Sequence, residues 1–207
     1  MRLAVSTLLT LLLVATGQVA GEEKPGKPDP HVRPLQEEGK RLFEVGMTSS
    51  PTFQRLVTRL DHSDVIVYVD VTVDVPPHFV GVLRFLTMTK SSRFLVVRLN
   101  RMLAPGAALV GILGHELQHA VEVADAKDVT SAEGLGRLYR RIGVDTGPGM
   151  YDTEAARQTG YEVRDEASHR TREVRLANHN SRNRELETRE VIAICESVTC
   201  PGHNVQP

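Results

Sequence analysis

The chain has 207 residues, with 25 Lys+Arg against 26 Asp+Glu and a formal charge of −1. That length suits one domain with tails, and the even charge excludes a basic nucleic-acid binder and an acidic solvating segment. Apolar residues at 41% exclude a disordered chain, aromatics at 4% with no Trp leave no stacking platform for single-stranded nucleic acid, and two cysteines exclude a disulfide-rich scaffold.

Residues 1–20 read as a signal peptide. Arg2 supplies a positive start and Leu3 to Ala15 form an apolar run, shorter than the roughly 20 residues that a spanning helix needs. Gly17, Ala20 and Gly21 offer small residues for cleavage. The expectation is a secreted or periplasmic protein with no stable membrane anchor once the signal is removed. Residues 21–34, rich in Pro, Gly and charge, read as a mature N-terminal linker.

A helix is expected from about Leu35 to Val45. Ser50-Pro51 has the form of an N-cap followed by Pro at the first helical position, opening a second helix through Leu60 with Phe53, Leu56, Val57 and Leu60 on one face. The period then changes. VIVYVDVTVDV, Val65 to Val75, is β-branched and alternating, which predicts a strand ended by Pro76-Pro77. Val80 to Met88 and Arg93 to Leu99 are two further strands around a Lys90-Ser91-Ser92 turn. Strands with one apolar face need a helix to cover them.

That helix is expected over Ala107 to Ala124, entered through Pro105-Gly106, and it contains HELQH at residues 115–119. One turn is 3.6 residues, so His115 and His119 project from the same face. Two neutral imidazoles at this spacing each offer a nitrogen to one Zn²⁺, and Glu116 reaches the outer side of the ion, where it can take a proton from water. An H-E-x-x-H run arises by chance in roughly 2% of chains of this length and composition. Its place in an apolar helix after a small sheet adds weight, because buried histidines without partners are costly.

PGAALVGILGHELQHAVEVAD, Pro105 to Asp125, resembles the active-site helix of zincin metallopeptidases, particularly the thermolysin-like gluzincins. The resemblance implies a catalytic Zn²⁺ held by His115 and His119, Glu116 as general base, and an edge strand beside the cleft where an extended peptide can pair. Catalytic zinc normally takes three protein ligands plus water. Metzincins would carry a further His, but position 122 is Glu and position 125 is Asp.

Gluzincins take a Glu from a later helix. Ser131 can cap a helix over Ala132 to Ile142, and the loop VDTGPGM leads to a third helix near residue 151. There Glu154, followed by the small Ala155 and Ala156, is the expected third ligand. The pattern departs from the family at Gln158, where an Asp would be usual. Asp152 remains an alternative ligand, and Glu122, on the same helix face as both histidines, is better suited to supporting a ligand than to being one. Tyr151, Tyr161 and His169 are candidates to stabilise an oxyanion, while Tyr139 falls in an apolar stripe.

Arg170 to Glu190 reads as a solvated helix extension or tail, and VIAIC, residues 191–195, as a last strand. Cys195 and Cys200 are expected to close a small disulfide loop in an exported protein; His203 makes C-x4-C-x2-H, but no clear fourth zinc ligand is present. The domains expected are therefore the signal, the linker, a zincin-like domain over 35–175 and a polar extension over 176–207. The fold class expected is α+β: a small, largely antiparallel sheet packed on the HELQH helix, with further C-terminal helices. The function expected is zinc-dependent hydrolysis of a peptide or protein substrate, without nucleic acid. A zincin-fold zinc-binding module without turnover, and a metal-free exported interaction protein in which HELQH is core, stay open beside it.

Overall fold

The computed structural model of the chain describes residues 29–75, 79–147 and 150–198. The signal peptide, most of the linker, Cys200 and His203 lie outside them. The fold is α+β, in the order β1 (Val32–Pro34), α1 (Glu37–Ser49), α2 (Pro51–Asp61), β2 (Val65–Thr72), β3 (Gly81–Met88), β4 (Arg93–Asn100), α3 (Ala107–Asp125), α4 (Ala132–Ile142), β5 (Val144–Gly147), β6 (Met150–Asp152) and α5 (Glu154–Val198). Among the described residues no helix is long and apolar enough to cross a membrane.

Local chemistry explains the boundaries. Ser50 Oγ accepts the Phe53 N–H at 3.0 Å and Pro51 opens α2, and Ser131 Oγ accepts the Gly134 N–H at 3.2 Å at the start of α4. The β3–β4 turn closes with the Thr89 N–H donating to the Ser92 carbonyl at 2.8 Å. Two expectations are corrected. Val32–Pro34, within the expected linker, forms β1 and pairs with β2 from Val32↔Val67 to Pro34↔Val69. Residues 191–195 belong to helix α5 and not to a strand.

The main sheet is mixed, not largely antiparallel. Its order is β1-β2-β4-β3, with β1–β2 and β2–β4 parallel and only β3–β4 antiparallel. Parallel neighbours need a long crossover, which α1 and α2 supply between β1 and β2. The β3–β4 hairpin then folds back so that β4 pairs with β2 and β3 becomes an edge. A separate hairpin, β5–β6, connects α4 to α5.

The alternation of β2 places Val65, Val67, Val69 and Val71 on the helix-covered face beside Leu95, Val97 and Leu99 of β4, all buried. Phe53 and Leu60 of α2 and Leu113 and Leu117 of α3 complete this core. At roughly 1.5–3 kcal/mol for each large apolar side chain fully buried, this layer fixes α3 beneath the sheet.

α5 crosses α3 at very close range. A Cβ on Gly111 would lie 2.7 Å from Arg164 Cβ and 2.8 Å from the Gly160 carbonyl, and one on Gly160 would lie 3.0 Å from His115 Cβ. These two glycines let the helix backbones approach at the level of the HELQH motif.

Farther along α5, Glu166 clasps the start of α2. Its carboxylate accepts from Ser50 Oγ, from the Thr52 N–H at 3.1 Å and from Thr52 Oγ1 at 2.8 Å. Burial alone would raise the Glu166 pKa, but these hydrogen bonds at a helix N-terminus outweigh it and hold the pKa below its usual value. Glu166→Leu is expected to lower the unfolding free energy by about 1.5–3 kcal/mol, the range for hydrogen bonds to a charged group. Urea unfolding at neutral pH measures it.

Candidate metal centre

The apolar face of α3 is buried along its length, and this places HELQH at the floor of a cleft. His115 Nε2 lies 3.3 Å from Asp152 Oδ1, and His119 Nε2 lies 3.5 Å from the same oxygen. The two imidazoles meet edge to face, with ring centres 4.8 Å apart. One ligand atom from each of His115, His119 and Asp152 falls within 4.8 Å of the others, a group that could hold a metal ion.

Glu154, the expected third ligand, is not brought to this group. Its side chain is 80% exposed and its carboxylate is bound by Arg157 at 2.6 Å. The reason is the start of α5. Thr153 Oγ1 accepts the Ala156 N–H at 3.1 Å, so the helix begins immediately after Thr153 and its first turn carries Glu154 outward. Asp152 precedes that cap, at the end of β6, and accepts the Thr153 N–H at 2.7 Å. The hairpin, not the helix, delivers the carboxylate.

Glu122 stands behind His119, in the supporting position read for it. Its Oε2 is 2.9 Å from His119 Nδ1, and its Oε1 accepts from Thr153 Oγ1 at 2.6 Å. The Nδ1 hydrogen bond fixes the ring and turns Nε2 toward Asp152. Tyr139 adds a second restraint: its hydroxyl donates to the His119 carbonyl at 3.0 Å, and its ring meets the imidazole edge to face with centres 4.9 Å apart. The sequence placed Tyr139 only in the apolar stripe of α4. Its contact with His119 spans twenty residues and leaves no local signal.

Glu116 is buried beside the pair. Burial raises its pKa to about 7, against the opposing pull of His119 and of the Leu83 backbone N–H on β3. Burial also pulls the His119 pKa down, but hydrogen bonds to Asp152 and Glu122 outweigh it and raise it to about 9. His115 is lowered by burial and by its cationic neighbour. Burial and the nearby carboxylates raise the Tyr139 pKa, so the phenol stays protonated. Three carboxyl groups thus converge on two imidazoles and favour positive charge between them. A divalent cation in contact with both Nε2 atoms and Asp152 would satisfy that demand.

The cleft above this centre has a volume of about 820 Å³ and runs between edge strand β3, α3, the β5–β6 hairpin and α5. Of the expected oxyanion candidates, Tyr151 and Tyr161 line it; His169 is an exposed residue of α5 and does not. No protein-family model, curated protein or solved structure matches the chain.

Proposed function

We propose that the chain is an exported, zinc-dependent peptidase of the zincin kind, with His115, His119 and Asp152 as metal ligands and Glu116 as general base. One observation carries the reading: two imidazole nitrogens one helical turn apart converge with Asp152, while the buried Glu116 carboxyl lies next to them in the floor of a cleft walled by an open strand edge. The donor set of two nitrogens and one carboxylate suits Zn²⁺ with a position left for substrate. When bound, zinc supplies Lewis-acid polarisation of a carbonyl and acidifies water.

The chain's residues do the rest. Glu116 takes the proton from the attacking water and returns it to the leaving amine, one group serving as base and then as acid. Glu122 and Tyr139 hold His119 in orientation. β3 offers backbone groups to an extended peptide, because its free edge borders the cleft.

The test is metal content of the mature chain purified without chelator, followed by a peptide-library assay. About one zinc per chain is expected. Asp152→Ala should weaken zinc binding by more than the roughly 10–100-fold that loss of a supporting residue such as Glu122 costs, whereas Glu154→Ala should retain it. A chain that takes up no zinc when the metal is supplied would remove the peptidase reading and leave the cluster a salt-bridged core. Zinc without hydrolysis of any peptide would leave a metal-binding module.

A further inference from the structure

Along α5, Arg157, Gly160, Tyr161 and Arg164 fall at i, i+3, i+4 and i+7 and line one wall of the cleft. The two arginines differ. Arg157 is engaged by Glu154 at 2.6 Å. Arg164 has no ion-pair partner among the described residues; its guanidinium carbon sits 5.8 Å from the centre of the Tyr161 ring. Its stem is held where it leaves the helix, because Arg164 Cβ packs on the backbone of Gly111, one turn before His115. A cation stacked on an aromatic ring with a fixed stem gives up little freedom when it binds a carboxylate.

The position of Arg164 along the cleft gives it a direction. β3 runs antiparallel to β4, and Arg93 at the start of β4 bonds the carbonyls at the end of α3, so β3 and α3 run in the same sense. Phe79 and Val80, before Gly81, line the cleft together with Ala108 and Gly111. A peptide added antiparallel to β3, the more stable pairing per residue, runs its C-terminal end toward Gly111 and therefore toward Arg164. The opposite polarity would bring an amino terminus to a guanidinium. Arg157, the other arginine lining the cleft, is held by Glu154, so among the described residues Arg164 is the cleft arginine left open to an acidic group of the substrate.

We infer that Arg164 is a specificity residue, selecting substrates that carry a carboxylate on the C-terminal side of the scissile bond. The inference rests on the peptidase reading. The carboxylate has two sources, the free C-terminus of a short peptide or an Asp or Glu side chain within a longer one. Arg is suited to both because its planar fork takes a carboxylate through two parallel hydrogen bonds.

The experiment uses the zinc-loaded Glu116→Gln chain, in which binding is read without turnover. Four pentapeptides labelled with fluorescein at the N-terminus are compared by anisotropy: neutral with a free C-terminus, neutral and amidated, Glu-containing and amidated, and Glu-containing with a free C-terminus. At least one carboxylate source is expected to bind roughly 10–100-fold tighter than the neutral amide. Adding Arg164→Leu should abolish that preference, and Arg164→Lys should restore part of it. The free-terminus and Glu arms distinguish the two sources. Equal binding of all four peptides, no binding by any, or a preference that survives Arg164→Leu overturns the assignment. Hydrolysis of neutral peptides by the wild-type chain with no carboxylate preference would leave the peptidase reading standing and remove this one; carboxylate binding through Arg164 without hydrolysis would do the reverse.

Discussion

Replacing Glu116 with Gln is expected to leave the fold and the zinc load intact and to lower peptide hydrolysis by roughly 10²–10⁴-fold, the usual contribution of a positioned general base. The substitution preserves shape in a site where shape matters, since Glu116 is 6% exposed and lies against Gly81. What the site loses is the capacity to take and return a proton. Equal losses in kcat and kcat/KM should result, because the missing interaction is made only in the transition state. Turnover retained within about threefold would remove Glu116 as the base and direct attention to Asp152 or to a cleft tyrosine. Zinc lost together with activity would show that the carboxyl holds the site together electrostatically. Metal analysis on the same preparation separates these outcomes.

The parts of the fold legible in the sequence are those governed by neighbours in the chain. Ser50-Pro51 and Ser131 announce helix starts because a cap needs only a side-chain oxygen within three residues. The alternating valines of β2 announce a strand with one buried face, although it ends at Thr72 and not at Val75. HELQH is legible for the same reason: the projection of two histidines from one helix face follows from the period alone. Glu122 is legible as their support by the same geometry.

Pairing is where local reading stops. β1 has three residues and sits in a stretch whose Pro and Gly content describes a linker; it becomes a strand only because β2 presents a parallel edge to it. Nothing in the periods of β2 and β4 says that they adjoin in parallel, and the adjacency of β3 and β4 along the chain suggests a largely antiparallel sheet. The third ligand turned on a helix phase. VDTGPGM, residues 144–150, reads as a loop followed by a helix from about residue 151, and the resemblance to gluzincins puts the ligand at Glu154 in that helix's first turn. The available local signal was Thr153, a helix-capping residue type. Starting the helix there sends Glu154 outward and leaves Asp152 on the hairpin side, next to the histidines. The clasp formed by Glu166 and the hydroxyl of Tyr139 on His119 had no such signal, since each joins elements distant in sequence.

Arg93→Met is expected to lower the unfolding free energy by about 3–5 kcal/mol at neutral pH. Arg93 is 3% exposed at the start of β4, and its guanidinium is fully engaged. It donates through Nε and Nη2 to Asp64 at 2.8 Å each, and through Nη1 to the carbonyls of Val123 and Ala126 at 2.8 Å and of Val129 at 3.3 Å. Nη2 adds the Ala124 carbonyl at 3.3 Å. One side chain thus caps the C-terminus of α3, where unpaired carbonyls and the negative end of the helix dipole favour a cation. Met fills similar volume and restores none of these bonds.

The same substitution carries a pH signature. The hydrogen bond from Arg93 is the largest influence holding the Asp64 carboxyl well below the usual carboxylate range, against the opposing effect of burial and with help from Lys127. A carboxyl depressed in the folded state contributes stability above its unfolded pKa of about 3.9, and that contribution is lost as pH falls toward the folded value. The gap between wild type and Arg93→Met should therefore be widest near neutrality and narrow below about pH 4, without closing, because the α3 carbonyls do not titrate. Urea unfolding at neutral and acid pH reads both effects. A gap independent of pH would assign the stabilisation to helix capping alone, and a loss under about 1 kcal/mol would remove Arg93 as the tie between sheet and helix. Because Glu122 and His119 lie in the last turns of α3, fraying from Asp125 inward would loosen His119 before the fold is lost. Zinc affinity in Arg93→Met should therefore fall at temperatures where the circular-dichroism signal is still native.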